Sequence, residues 1–374
     1  MNNSPVIPTT TKAVRIFEHG GPEQLIYDDY PLAPLGRHGV LVAVHAASVS
    51  GWDLKYRSGQ LSGNSLPGRR PLPMPQQLGR EAAGTVVAIG PDVTSLSPGQ
   101  PVVAVVHPEN PHSAQTYRGL GNLSTGIDIP GHAGMGSYAE YLVRDEQMWL
   151  PLPEHVDLEQ AAVVLWPYAT AHRIIRDRLQ VGLNDTVLVC GASGGMGEAT
   201  VQLARLAGAR VAVTTRHEGK AERLRTMGAD LVLVTADEEA ALVQLREWTG
   251  GEGLDHAVDY TGNPDLFRLG LDGLRLGGKI CPAAGNQRGG GAIPLTMNDF
   301  TRLEMSVIGV RGARHQDAVT VLDLLARGQI GIQIAARFPL AEAKAAHALL
   351  ENGTELVGRV VLRPPIALAC RSSP

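Results

Sequence analysis

The sequence predicts an α/β protein in which a doubly wound parallel sheet is joined to a second, mostly-β domain. Three observations predict it. From Thr186 to Val310, short apolar strands alternate strictly with amphipathic helices, the rhythm of parallel strands with right-handed crossovers. Before residue 158 the chain runs instead through short β-branched segments bounded by Gly or Pro. A length of 374 residues suits two domains, each with enough chain to bury a core.

The elements follow in order. Residues 1–11, polar with prolines, form a flexible tail. Residues 12–157 form the first part of the mostly-β domain. Its strands are AVRIF (13–17), VLVAVHAASV (40–49), AAGTVVAIG (82–90), PVVAVV (101–106) and YAEYLV (138–143). Residues 107–136 are polar, rich in Gly and Pro and almost strandless, as lids, lobes or inserts are. Residues 158–312 form the doubly wound domain. It opens with a helix, LEQAAVVLWPYATAHRIIRDRL (158–179). Its strands are TVLVC (186–190), RVAVTT (210–215), LVLV (231–234), DHAVDY (255–260), GKICPAA (278–284) and SVIGV (306–310). Residues 313–374 return to the first domain with a helix over 315–330, a strand RVVLR (359–363) and a tail.

Composition narrows the function. Hydrophobic residues are 44% and charged residues 19%, values of a globular chain. A net charge of −4, no basic run and 4% aromatics exclude a nucleic-acid surface. The three cysteines, Cys190, Cys281 and Cys370, form no CxxC pair, so neither a disulfide framework nor a finger-type zinc module is expected. Cys190 and Cys281 border apolar runs and read as buried thiols. The N-terminus lacks a signal pattern, and no apolar stretch approaches the about 20 residues of a membrane helix. The expectation is a soluble cytoplasmic protein acting on a small molecule.

The first strand of the alternating series runs into Gly191-Ala192-Ser193-Gly194-Gly195-Met196-Gly197, which opens a helix. That context turns a glycine cluster into a dinucleotide fingerprint. Gly194 and Gly195 let the backbone turn tightly and approach a pyrophosphate, and Gly197 lets the helix pack close to the strand. The helix N-terminus, with Ser193 and Met196 on the same loop, presents N–H groups to the phosphates. After the second strand stands Thr214-Thr215-Arg216, where NAD-binding folds carry a carboxylate for the ribose 2′-OH. Arg216 would pair with a 2′-phosphate, Lys220 would add a second positive contact, and Thr215 a hydroxyl. The reading is NADPH over NADH. The plainer alternative leaves Arg216 a solvated loop residue, with Glu218 close by.

Six segments carry a family resemblance: VLVAVHAASVSGWDLKYRSG (40–59), LGREAAGTVVAIGPDVTSLSPGQPV (78–102), GSYAEYLV (136–143), AAVVLWPYATAHRII (161–175), GASGGMG (191–197) and GRVVL (358–362). Together they resemble the medium-chain dehydrogenase/reductase superfamily over about residues 12 to 364. The resemblance implies a GroES-like catalytic domain split around a Rossmann domain, with the active site in the cleft between them. It also implies a homodimer formed near residues 306–310. By the same resemblance Thr170 lies beside the nicotinamide, Gly285 and Asn286 flank its ribose, and Arg359 joins the cofactor-binding residues.

Departures from the family pattern define the expected chemistry. Ser50 stands at the position of the zinc-ligating Cys, and Arg80 at that of the ligating His. No Cys lies in 107–136 or near Trp166-Pro167-Tyr168. A guanidinium offers no lone pair to a metal, and His107, His112 and His132 read as surface groups. No catalytic zinc is expected. Arg80 pairs with Glu81 or Asp53, or binds an anionic group. Without a Lewis acid the suited acceptor is an enone, enal, enoyl or quinone, whose reduction spreads charge over a delocalised anion. The sequence thus resembles the zinc-independent quinone oxidoreductase and enoyl reductase branch.

Ser50, Asp53, Tyr56 and Tyr168 are the candidate catalytic residues. The tyrosines are either proton donors or pocket walls, and Asp53 also suits a structural hydrogen-bonding role. Trp52 and Trp166 shape an apolar pocket or belong to the core. Gln60 and Leu61 stand where thioester reductases of the family carry a tyrosine. Three alternatives stand beside this reading. One is a biosynthetic reductase of an iminium or similar group. Another is a carboxylating CoA-thioester enzyme using Arg69, Arg70 and Arg118. The third is a non-catalytic NADPH-binding protein.

Overall fold

The computed structural model describes residues 7–61, 71–235, 237–284, 295–353 and 356–365. Contacts divide the chain into two compact units, Met1–Trp166 with Arg314–Pro374, and Pro167–Ala313.

The first unit opens with β1 (Thr10–Ile16) and β2 (Ile26–Pro31), an antiparallel pair. β2 was not among the expected strands because IYDDYP carries its acidic pair at the centre and leaves little apolar surface to bury. β3 (Gly39–Val49) is the long central strand, nearly all of it buried. The helix Gly51–Ser58 follows at once and stops at Gly59, which takes the left-handed conformation, φ 79°. β4 (Gln76–Gln77) adds to β1, while β5 (Ala82–Ile89) pairs with β3 and β6 (Pro101–Ala104) with β5. Residues 107–136 hold only a short helix (Ala114–Tyr117), a 3-10 turn (Gly121–Leu123) and a bridge between Pro130 and Gly134.

β7 covers Tyr141–Asp145 instead of the expected 138–143. Tyr138 and Ala139 are engaged elsewhere: Val14 N donates to Tyr138 O at 2.9 Å, and Ala139 bridges Ala13. Pairing of β7 with β3 therefore begins only at Tyr141. β8 (Trp149–Pro151) closes against β6. Val40, Val42, Val44, Leu78, Val86 and Tyr138 lie in one buried cluster. Each full burial of such an aliphatic side chain stabilises by about 1.5–3 kcal/mol.

In the second unit β9 (Thr186–Cys190), β10 (Arg210–Thr215), β11 (Leu231–Val234), β12 (Leu254–Asp259), β13 (Leu274–Pro282) and β14 (Ser306–Val307) form one sheet. Every pairing is parallel and the order is β11-β10-β9-β12-β13-β14. This is a Rossmann sheet, with its direction of winding reversing between β9 and β12. β9 is buried along its whole length, as a central parallel strand must be. The helix expected over 158–179 is present but mixed. Wider π-type turns at Leu165–Ala169 and Ile174–Leu179 flank an α-helical Thr170–Arg173. Cys190 and Cys281 are buried as expected, and burial pushes both thiols up to about 12. Cys370 lies outside the described residues.

The chain then returns to the first unit through the helix His315–Ala326. It adds β15 (Ile334–Pro339), the helix Ala343–Asn352 and β16 (Arg359–Arg363). β16 runs parallel to β15 and antiparallel to β3. β15 was not legible in the sequence, since it is only partly buried and lacks a clean alternation. No described helix is long and apolar enough to cross a membrane.

One glycine of the β9 turn is required by packing. A Cβ on Gly197 would stand 2.4 Å from both Ala192 Cα and Gly191 O, backbone atoms that cannot swing away. Gly→Ala inside an ordinary helix stabilises by about 1 kcal/mol. Here the clash reverses the sign, and Gly197→Ala is expected to destabilise by about 1–3 kcal/mol. Thermal melts should show a lowered Tm for Gly197→Ala. Gly194→Ala, whose Cβ would meet only Gly191 O at 3.8 Å, should melt like the parent.

Candidate functional site

In the second unit the fingerprint loop has the features that a dinucleotide needs. The helix Gly195–Leu206 starts after Gly194 with no side-chain cap, which leaves its first N–H groups for a ligand. The space in front of Gly194 is open, whereas Gly197 is pressed against Ala192. The left-handed residue of the turn is Gly191, φ +85°; Gly194, read as the tight-turn glycine, has an ordinary extended backbone, φ −88°. Sequence reasoning missed Gly191 as a working residue, although it sits directly at the strand end.

A pocket beside this turn is lined by Gly191, Ser193, Thr215, Arg216, Lys220 and Thr261, among others, and no lining residue is acidic. Glu218 is not on its wall. Thr215 is half committed: its hydroxyl donates to His217 O at 3.3 Å and accepts from His217 N at 3.2 Å. Thr261 reaches the pocket because the buried Asp259, at the end of β12, takes its N–H at 2.8 Å and its hydroxyl at 2.6 Å. Gly262 N adds a bond to the other oxygen at 3.1 Å. The sequence signal for this second wall was the Asp closing DHAVD before a Thr-Gly-Asn turn.

Thr170, also of this unit, is 7% exposed, and its Oγ1 is buried with no hydrogen-bond partner among the described residues. An orphaned hydroxyl of this kind suits a polar ligand such as a carboxamide. Together these residues fit a nicotinamide dinucleotide. Tyr168 is fully buried, at 0% exposure, inside its unit. Gly285 and Asn286 lie outside the described residues.

In the first unit the candidate residues form one cluster. Ser50 caps the helix Gly51–Ser58 in a reciprocal arrangement with Asp53. Ser50 N and Oγ both donate to Asp53 Oδ2, at 2.8 and 2.7 Å, and Gly79 N donates to Oδ1 at 3.0 Å. Burial raises the Asp53 carboxyl above its ordinary range, against the pull of these donors and of the Arg80 charge. Asp53 is thus an anchor for the loop bearing Gly79 and Arg80. Gly79 itself, φ +88°, packs under Tyr138, whose ring carbon lies 2.4 Å from where a Cβ would be.

Arg80 does not pair with Glu81 or Asp53, which corrects two of the three partners the sequence suggested. Glu81 is taken by Arg359 Nη2, by Ser48 Oγ at 2.6 Å and by Trp166 N at 2.8 Å. Burial raises the Glu81 carboxyl, opposed by Arg359, Ser48 and Trp166. Arg359, read as a cofactor residue, here serves as the counter-ion of Glu81. Arg80 Nη2 instead donates to Tyr56 Oη at 3.1 Å, and its guanidinium lies 4.0 Å from the centre of the Trp166 ring. A guanidinium only donates. Tyr56 Oη therefore accepts from it and keeps its own proton to give elsewhere. Trp52 stacks on Trp166 at 6.1 Å, and His132 meets the Tyr56 ring edge-on at 5.1 Å.

Behind the cluster lies a buried polar chain. Arg57 Nη1 meets His347 Nδ1 at 3.2 Å, and His347 Nε2 meets Tyr138 Oη at 3.0 Å. Since Arg57 can only donate, Nδ1 accepts and the neutral ring carries its proton on Nε2. Arg57 also pairs with Glu351. Burial, then the Arg57 charge, holds His347 down to about 3. An unfolded histidine titrates near 6.5. The unfolded chain therefore binds the extra proton between those values, and stability falls as pH drops from about 6.5 toward 3. The slope from this one group reaches about 1.4 kcal/mol per pH unit. Chemical denaturation at pH 7, 6 and 5 should show a shallower acid loss for His347→Gln than for the parent.

Comparison with known proteins agrees with the geometry. Residues 36–154 match the family model for the alcohol dehydrogenase GroES-like domain, and residues 195–327 that for zinc-binding dehydrogenase. The chain is 28% identical over 358 residues to the quinone oxidoreductase of Homo sapiens, covering 94% of this chain and 97% of that one. It is 27% identical to a 2-haloacrylate reductase of Burkholderia sp, covering 94% and 98%. The crystal structure of AibC superposes with a TM-score of 0.86 at 32% identity, covering 96% of each chain. Zinc, which one family description implies, does not fit the cluster found here. Arg80 brings a fixed positive charge, and no group of three or more His, Cys, Asp or Glu among the described residues is placed to hold a metal. The Rossmann sheet, the GroES-like unit and these matches establish that the chain belongs to the medium-chain dehydrogenase/reductase superfamily, on its quinone oxidoreductase-like branch.

Proposed function

We propose that this oxidoreductase is an NADPH-dependent, zinc-independent reductase of an activated C=C bond or a quinone. The observation that carries the reading is the Arg80–Tyr56 pair: a fixed cation and a phenol with a free proton, in a cluster without a metal-binding set. Such groups stabilise a delocalised enolate or hydroquinone anion by hydrogen bonds and charge. They do less for the localised alkoxide of a plain ketone, which calls for a Lewis acid. The names of the human and Burkholderia relatives, a quinone oxidoreductase and a 2-haloacrylate reductase, fit acceptors of this class.

The chain's own residues divide the work. The uncapped helix after Gly194 would take the pyrophosphate, with Ser193, Gly195, Met196 and Gly197 on the same loop. Arg216 and Lys220 would meet the 2′-phosphate, and the Thr170 hydroxyl would hydrogen-bond the carboxamide. A nicotinamide held by these residues would supply the hydride that the reduction needs. Tyr56 then returns a proton to the resulting anion, while Asp53 and Ser50 hold the helix that carries it. β14 is a two-residue edge strand, and we place a homodimer contact along it.

Three measurements test this. Nicotinamide fluorescence titration should give a Kd for NADPH about 10- to 100-fold below that for NADH, the worth of one or two charge-assisted bonds. Arg216→Glu should reverse the order. Zinc analysis of the same sample should find well under one ion per chain; a stoichiometric ion would sink the zinc-free reading. In steady-state assays with an enone, Tyr56→Phe should lower kcat about 100-fold with NADPH affinity unchanged. Full turnover by that variant would mean that solvent supplies the proton.

A further inference from the structure

No carboxylate among the described residues forms an ion pair with Arg80. The residue is 5% exposed. Asp53 feels its field, but each nearby carboxylate is engaged by other donors, Glu81 by Arg359, Ser48 and Trp166, and Asp53 by Ser50 and Gly79. Arg80 Nε is buried with no hydrogen-bond partner among the described residues. What the protein offers is the Trp166 face at 4.0 Å and one bond to Tyr56 Oη. A desolvated cation–π contact and one hydrogen bond from a charged donor offset part of the cost of burying the cation. The loss of the cation's hydration and the unmet buried N–H both remain as costs. An anion brought against the guanidinium would supply the acceptor that Nε lacks.

The surroundings define the shape of the anion. Trp52 and Trp166 are stacked at 6.1 Å, His107 meets Trp166 edge-on at 5.9 Å, and the Tyr56 ring stands 5.9 Å from the guanidinium. These flat apolar faces around one cation suit a planar conjugated group ending in a charge. A planar guanidinium matches a carboxylate through two parallel N–H bonds, which a lysine could not provide.

We infer that Arg80 recognises a carboxylate on the substrate, conjugated with the bond to be reduced. The site selects planar α,β-unsaturated acids over neutral enones and quinones. This inference rests on the reductase reading above and names the substrate class of that same site.

Calorimetric titration of the full-length protein, with NADP⁺ present, should compare trans-cinnamate with its methyl ester. The acid is expected to bind at least about 10-fold more tightly, the worth of a charge-assisted bond. Arg80→Gln should weaken the acid about 10- to 100-fold and leave the ester and NADPH unchanged. Arg80→Lys should fall between. An ester that binds as well as the acid, or an acid-to-ester ratio unmoved by Arg80→Gln, would overturn the inference. Should Arg80→Gln fail to fold, the acid–ester comparison on the parent decides alone. NADPH oxidation assays with the acid, an enone and a quinone separate the two readings. Charge-selective binding without turnover of any acceptor would overturn the reductase reading and still support a carboxylate site.

Discussion

The buried carboxylate of Glu81 organises the first unit. It gathers Arg359 from β16, the Ser48 hydroxyl from β3 and the Trp166 backbone N–H. Arg359 and Glu81 are 278 residues apart in the chain, so this pair fastens the returning C-terminal strand to the N-terminal sheet. Removing one partner from such a pair leaves an uncompensated charge in the interior, at a cost of about 3–5 kcal/mol. Because Glu81 is fully engaged, its neighbour Arg80 has to find other company, and it turns to Tyr56 and Trp166.

The same logic explains how Ser50 and Asp53 behave. Ser50 spends its N–H and its hydroxyl on Asp53, and Asp53 spends its other oxygen on Gly79. The loop carrying Arg80 and the helix carrying Tyr56 are thereby locked to one another. Hydrogen-bond direction then assigns chemical roles: the guanidinium donates, the phenol accepts and keeps a proton. Deeper in the unit the same rule fixes the His347 tautomer, with Arg57 on one nitrogen and Tyr138 on the other. The second unit relies on backbone instead. An uncapped helix, a left-handed Gly191 and the Asp259 turn bring polar groups to the end of the sheet where its winding reverses.

Legibility varied with the kind of interaction. The Rossmann strands could be read because a parallel sheet buried on both faces needs continuous apolar runs such as TVLVC, and its helices need a 3.6-residue period. Gly197 could be read because helix–strand contact excludes a side chain there. β2 and β15 could not, since partly buried strands leave a weak pattern. The start of β7 was misplaced because Tyr138 and Ala139 serve β1, a pairing about 125 residues distant that no local pattern encodes.

By itself the sequence determined the fold class, the glycine-rich turn after the first strand of the parallel sheet and the basic residues that follow the second strand. Those features are local: a strand-helix period, a glycine spacing and a residue type at a motif position each act within a few residues. Tertiary structure alone decided that Arg80 is denied both nearby carboxylates, that the Tyr56 hydroxyl accepts from it, and that Arg359 pairs with Glu81. Ion pairing and hydrogen bonding depend on distance in space and on competition for a limited number of lone pairs. Only the folded chain sets those distances and settles that competition.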